Sequence, residues 1–285
     1  MNNVYVVTSG KGGVGKSTVT AYLGVELCKK GKKVLLIDMD EGLRSLDLML
    51  DVSSHTLFDV SDIIKGNCNV NQAVIPVKQC PNLYLLPAPV TVNSLNSPKG
   101  MKILCEKLSE FFDFILIDSP AGVGKGFINA VSGADNALVV VNPDPVSVRD
   151  AAYVAKLLRE NKVENIRLII NKLDIDLVKK GVLYNIDEVI DATALQLIAA
   201  IPYDIELIKS GNQDSLTAVI EHHDRYIPVN IIKHTFQAAV GNIHPHIIIL
   251  SSSQDFLAGL SLSKRFCSIL RTADLSEHNV QTNVL

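Results

Sequence analysis

"VYVVTSGKGGVGKST", residues 4–18, decides how the rest of the chain is read. Four residues of Val and Tyr form a short apolar run, typical of a strand buried on both faces. Residues 10–17, "GKGGVGKS", then fit the pattern G-x-x-x-x-G-K-[ST], and "KSTVTAYLGVELCKKG" continues with helical spacing. Strand, glycine-rich turn and helix in that order make a phosphate cradle. Gly10, Gly12, Gly13 and Gly15, with Val14 between them, let the backbone curl so that its N–H groups converge on phosphate oxygens. The following helix adds its positive end. Lys16 neutralises the β- and γ-phosphates, the Ser17 hydroxyl is placed to hold Mg²⁺, and Thr18 is counted with the loop as a nucleotide-binding residue. ATP or GTP follows from these residues, without a choice between them.

The pattern extends outward from this loop. "KVLLID" (33–38), "NLYLLPAP" (82–89), "DFILID" (113–118), "NALVVVNP" (136–143), "NIRLIINK" (165–172) and "LQLIAAIP" (195–202) are further apolar runs without polar alternation. Helical segments such as "KGMKILCEKLSEFF" separate them. The alternation predicts an α/β fold: a doubly wound, mostly parallel sheet with helices on both faces. The rhythm lasts to about Asp214. Residues 1–214 are expected to form the nucleotide-binding domain, and 215–285 an atypical C-terminal segment that either completes it or forms a tail.

Composition narrows the class. The chain has 285 residues, 47% hydrophobic and 20% charged, which is globular, and a net charge of -3 that gives no electrostatic case for nucleic acid. Trp is absent, so base-stacking platforms are scarce. Five cysteines without a C-x-x-C pair are expected to be reduced thiols, mostly small core residues. The sequence passes from "MNN" straight into the first strand and has no run of about 20 apolar residues, so neither a signal peptide nor a spanning helix is expected.

Two carboxylate strands join the loop. "VLLIDMDEG" (34–42) puts Asp38 at a strand end and Asp40 just beyond it, at the sheet edge where ligands of open α/β sheets sit. Asp40 could polarise an attacking water and Asp38 support Mg²⁺ through another; two turn-forming aspartates are the alternative. "FDFILIDSPAG" (112–122) carries Asp118 to the same edge as a magnesium ligand. Its Ser119–Gly122 loop is placed to sense a γ-phosphate.

Lys11 is surplus to a phosphate loop, which leaves it little to do within its own subunit. It either reaches across an interface to a second subunit's nucleotide, as an arginine finger does, or is a solvated loop lysine. "KGGVGKST" resembles the deviant Walker A motif of the MinD/ParA family of dimerising ATPases, which is marked by that additional lysine. "DMDEGLRSLDLMLDV" and "DSPAGVGKGFINAVSGADNALVVVNPDPVSVRDA" resemble the MinD branch more than the DNA-partitioning ParA branch, and the likeness runs over about residues 2–214.

The resemblance implies an ATP-dependent homodimer in which Lys11 contacts the partner's phosphates and, with Lys16 and Asp40, carries catalysis. It implies ATP and Mg²⁺ as cofactors, with Asn171, Pro202 and Asp204 near the adenine. It further implies spatial regulation of cell division, with cycling between the cytoplasm and the cytoplasmic face of the membrane. The partners implied are a MinC-like division inhibitor, a MinE-like activator and an anionic membrane surface. A partition ATPase and a flagellar-placement ATPase with the same engine are the alternatives.

The chain departs from the family pattern twice. After "DSPAG" most MinD-like sequences place a glutamate two residues on; here stand Gly124 and then Lys125. The end, "TADLSEHNVQTNVL", is polar rather than an amphipathic anchor. The nearest substitute is 255–271, where helical winding groups Phe256, Leu260, Cys267 and Leu270, with Lys264, Arg265 and Arg271 available for lipid head groups. An ordinary helix packed on the domain is the competing reading. Six of the seven histidines follow residue 220 without accompanying acid or cysteine at ligand spacing, a poor basis for a metal site.

Overall fold

Parallel pairing of buried strands organises the molecule. The computed structural model describes residues 3–52, 57–163 and 165–203, with the backbone of 248–249. Its strands are β1 (Val4–Thr8), β2 (Val34–Asp38), β3 (Ile75–Pro76), β4 (Leu83–Leu86), β5 (Phe114–Asp118), β6 (Asn136–Val141), β7 (Asn165–Leu173), β8 (Gln196–Pro202) and β9 (Ile248–Ile249). Among the described residues they make one nine-stranded sheet in the order β3-β4-β2-β5-β1-β6-β7-β8-β9. Every neighbour is parallel except β3 against β4. The doubly wound, mostly parallel α/β sheet read from the sequence is therefore present.

Each of the seven apolar runs is a strand. The sequence reading lacks β3 and β9, of two residues each, too short to leave a periodic signal. Pro76 also removes a ladder donor, which suits an edge position. The helices are α1 (Lys16–Lys29), α2 (Ser45–Met49), α3 (Val60–Lys65), α4 (Val70–Ala73), α5 (Pro98–Leu108), α6 (Lys125–Ser132), α7 (Pro145–Glu160), α8 (Ile175–Lys179) and α9 (Ile186–Thr193). The stop signal read at Lys29–Gly31 holds: α1 ends at Lys29, and Gly31 takes φ 75°, the left-handed turn that glycine adopts without strain.

Alternation along each strand splits the core between the two faces. Val4, Val6, Leu35, Ile37, Ile115, Ile117, Val139 and Val141 pack with α3, α5, α6, α7 and α9. Tyr5, Val7, Val34, Leu36, Leu116, Leu138 and Val140 pack with α1 and α2. Cys28, Cys80 and Cys105 are buried and Cys68 is half-buried, all as free thiols. Cys28 Sγ and Cys80 Sγ lie 2.8 Å apart. Among the described residues, no helix is long and apolar enough to cross a membrane. The C-terminal segment 215–285, with its 255–271 stretch and its histidines, lies outside the described residues apart from 248–249.

Candidate nucleotide site

The connection out of β1 runs toward β2 on one side of the sheet, and that out of its neighbour β5 runs the opposite way to β6, so β1 and β5 flank a switch point. Such a switch point leaves a crevice at the carboxyl ends of the strands. The 9–15 loop follows β1 directly into it. Gly13 (φ 74°) and Gly15 (φ 98°) are left-handed, and Gly15 caps the start of α1. A Cβ on Gly15 would collide with the Asn171 amide, and one on Gly10 would come within 2.6 Å of the Asp150 carbonyl on α7. A Cβ on Gly12 would lie 3.6 Å from Ala121, so the loop after β5 packs against the phosphate loop. Val14 is fully buried beneath the turn, while Ser17 and Thr18 are half-buried in the first turn of α1.

Lys16 opens α1 at only 8% exposure. Burial lowers its pKa, and the negative charges of Asp118 and Asp40 oppose that fall. A buried ammonium needs counter-charge, which the two carboxylates supply within the chain and a phosphate at the loop amides would supply from a ligand.

Asp38 and Asp118 are cross-strand partners in the β2–β5 register, at one end of the sheet. Asp38 Oδ1 accepts from Asp40 N (2.9 Å) and its Oδ2 from Leu46 N (3.1 Å), so it also shapes the following turn. Desolvation pushes its carboxyl up to about 6, against those two hydrogen bonds. Asp118 is pushed up to about 8 by desolvation and then by Asp38, while Ser17 and Lys16 pull the other way. Asp40 is half-buried, raised by desolvation and lowered by Lys16. Thr20, which the sequence reading missed, donates from Oγ1 to Lys16 O (3.0 Å) and reaches Asp118 Oδ1 at 3.5 Å.

The magnesium ion implied by the motif fits these residues. Asp118 Oδ2 is buried without a hydrogen-bond partner, an orphaned acceptor of the kind a hydrated cation satisfies. Among the described residues, no three His, Cys, Asp or Glu side chains converge to hold a metal unaided. Magnesium keeps several waters and takes phosphate oxygens as further ligands, so one or two protein oxygens such as those of Asp118 and Ser17 serve it.

Asn171 is buried at the end of β7, and Pro202 ends β8 in register with Leu173. The Asn171 amide is engaged locally: Nδ2 donates to Val14 O (2.7 Å), and Oδ1 accepts from Lys172 N (2.9 Å). Asp204 lies outside the described residues.

Lys11 overturns one expectation. Far from idle within its own subunit, it reaches Asp144 at the start of α7, with Nζ 3.3 Å from Oδ1. The 133 residues between them hide this pairing from any local reading of the sequence. Lys172, whose Nζ donates to Gly13 O at 2.8 Å, was hidden for the same reason. At the departure from the family pattern, Gly124 caps α6 without a side-chain bond and Lys125 opens the helix.

A family model described as an AAA domain matches residues 2–175. The septum site-determining protein MinD of Synechocystis is 41% identical over 215 residues, covering 75% of this chain and 80% of that protein. Among solved structures, the MinC:MinD cell division protein complex of Aquifex aeolicus superposes with TM-score 0.71 at 37% identity, covering 85% of this chain and 98% of that one. MinD of Pyrococcus horikoshii, complexed with Mg-ADP, gives TM-score 0.72 at 26% identity, over 85% of this chain and 98% of that one.

Proposed function

The chain belongs to the MinD family of septum site-determining proteins, and from that premise we propose that it is a cell-division placement ATPase whose dimerisation is governed by ATP. The observation that carries the reading is Lys16, buried at the start of α1 directly after the glycine-rich loop and within electrostatic reach of the Asp40 and Asp118 carboxylates. Triphosphate binds to the loop amides and Lys16. Ser17 and Asp118 would hold magnesium, with Asp38 supporting it through water, and the ion would neutralise phosphate charge. Asp40 orients the attacking water. Lys11 exchanges Asp144 for the triphosphate of a second copy, so that each subunit completes the other's site.

The P. horikoshii relative bound to Mg-ADP supports the cofactor assignment, and the A. aeolicus complex supports a MinC-like partner. Asn171 and Pro202, at the ends of β7 and β8, form the base end of the site. Hydrolysis, stimulated by a MinE-like activator, dissolves the dimer. Pairing also multiplies weak affinity for an anionic membrane, placing the ATP form on the cytoplasmic face of the membrane and the ADP form in the cytoplasm.

Sedimentation with a nonhydrolysable ATP analogue and with ADP, in the presence and absence of anionic liposomes, tests each arm. The expected result is a dimer that pellets with vesicles in the analogue and a free monomer in ADP. Dimerisation without pelleting removes the membrane arm. Salt-sensitive binding of the dimer to nonspecific DNA would favour a partition ATPase instead.

A further inference from the structure

The rear of the phosphate loop is held by two consecutive side chains from the end of β7. Asn171 Nδ2 donates to Val14 O at 2.7 Å, and Lys172 Nζ donates to Gly13 O at 2.8 Å, across 157 and 159 residues of chain. These bonds also fix the amides that follow those carbonyls. A trans peptide is planar, with its C=O and the next N–H pointing in opposite directions. Drawing Gly13 O towards Lys172 therefore turns the Val14 N–H the other way, to the open side of the loop. Asn171 does the same for the Gly15 N–H through Val14 O. Phosphate cradles depend on the alignment of these N–H groups.

Lys172 is set in place by an unusual backbone. It lies at φ 56°, in the left-handed region that a non-glycine residue seldom occupies, where the register of β7 against β8 shifts between Ile170 and Leu173. Just beyond, Asp174 fixes the chain by accepting from Asp176 N and Leu177 N at the start of α8. The Lys172 side chain is exposed, so it fills no core space. A backbone outlier that serves one long-range hydrogen bond to a ligand loop points to function rather than packing.

We propose that Lys172 is a positioning residue for the nucleotide phosphates, aligning the loop amides from behind without touching the nucleotide. The role rests on the nucleotide-binding reading above. The positive charge directly behind the loop also adds to the potential felt by a bound anion.

Calorimetric titration of Mg-ADP into the full chain, Lys172→Met and Lys172→Arg tests this. Methionine keeps the stem and removes the ammonium; arginine keeps a donor of the same charge. The expected result is about tenfold weaker binding for Lys172→Met, the size of one charge-assisted hydrogen bond, and recovery to within about threefold for Lys172→Arg. The nucleotide-free melting temperatures should agree within about 2 °C, because an exposed side chain is being changed. Unchanged affinity in Lys172→Met overturns the proposal while leaving the nucleotide reading intact. An affinity loss that arginine does not rescue, or one matched by a fall in nucleotide-free melting temperature, assigns Lys172 to structure alone and also overturns it. Failure of the unmodified chain to bind Mg-ADP overturns both.

Discussion

Lys11 Nζ lies 3.3 Å from Asp144 Oδ1, and the same carboxylate oxygen caps α7 by accepting from Ser147 N at 3.0 Å. The lysine assigned to a second subunit is therefore parked within its own. The pair is partly exposed, at 43% and 28%, so solvent screens it and it contributes between about 0 and 1 kcal/mol. A partner that weak is readily exchanged for a triphosphate. Lys11→Ala is expected to leave the nucleotide-free melting temperature within about 4 °C, yet to abolish dimerisation with a nonhydrolysable analogue. Thermal melts and sedimentation velocity on one preparation check both halves.

The paired carboxyls Asp38 and Asp118 give a pH dependence of known sign. Burial raises both, to about 6 and about 8, above the roughly 3.9 of an unfolded aspartate. Within that window the folded chain binds more protons than the unfolded one, so stability falls as pH rises. The fall should reach at most about 1.4 kcal/mol per pH unit for each proton, ending near pH 8 for Asp118. Urea midpoints without nucleotide or magnesium should drop across this range. Asp118→Asn should flatten the upper part, as should saturating Mg-ADP.

Such a window was not legible in the sequence, although both aspartates were. The strand patterns fixed their positions at the carboxyl ends, because buried parallel strands read as continuous Val, Ile and Leu. Their pairing depends on the order β2-β5-β1, which no local pattern encodes. The same limit explains why Asp144 was missed beside Lys11, and Lys172 beside Gly13. The phosphate loop was fully legible because strand, glycines, lysine and helix N-terminus are contiguous. Glu41 shows the mixed case: it sits beside Asp40, yet its carboxylate binds the amides of Asn93 and Leu95, 52 and 54 residues away.

Gly15 is the glycine whose replacement should be most damaging. Its φ of 98° is strained for any L side chain, and a Cβ would displace the Asn171 amide that holds Val14. Gly15→Ala is expected to cost about 1–3 kcal/mol and to remove measurable Mg-ADP binding. Denaturant midpoints and calorimetry report the two losses separately. Full retention of binding would contradict the loop geometry.

Lys125 opens α6, whose first turn carries no acidic residue. A cation there opposes the helix dipole. Lys125→Glu is expected to stabilise the chain by about 0.3–1 kcal/mol, raising the melting temperature by up to about 4 °C. A melting curve in moderate salt decides it, and a fall would mean that the Lys125 charge is balanced by an unrecognised partner.

Asp40 separates binding from turnover. Its backbone belongs to the turn: the amide donates to Asp38 Oδ1 at 2.9 Å, and the carbonyl accepts from Leu43 N and Arg44 N at 3.3 and 3.1 Å. These bonds do not involve the carboxylate, so replacing the side chain leaves them in place. Desolvation raises its pKa, the direction a general base needs, and the Lys16 charge opposes that rise, which ties the carboxylate electrostatically to the phosphate-loop lysine. Asp40→Ala should therefore keep Mg-ADP affinity within about threefold while lowering single-turnover hydrolysis by about 10²–10⁴-fold, the range for a positioned general base. Were turnover to stay within about tenfold of the unmodified chain, the water would have to be aligned by the Ser119–Gly122 loop or by backbone groups. Asp40 would then be only a turn residue.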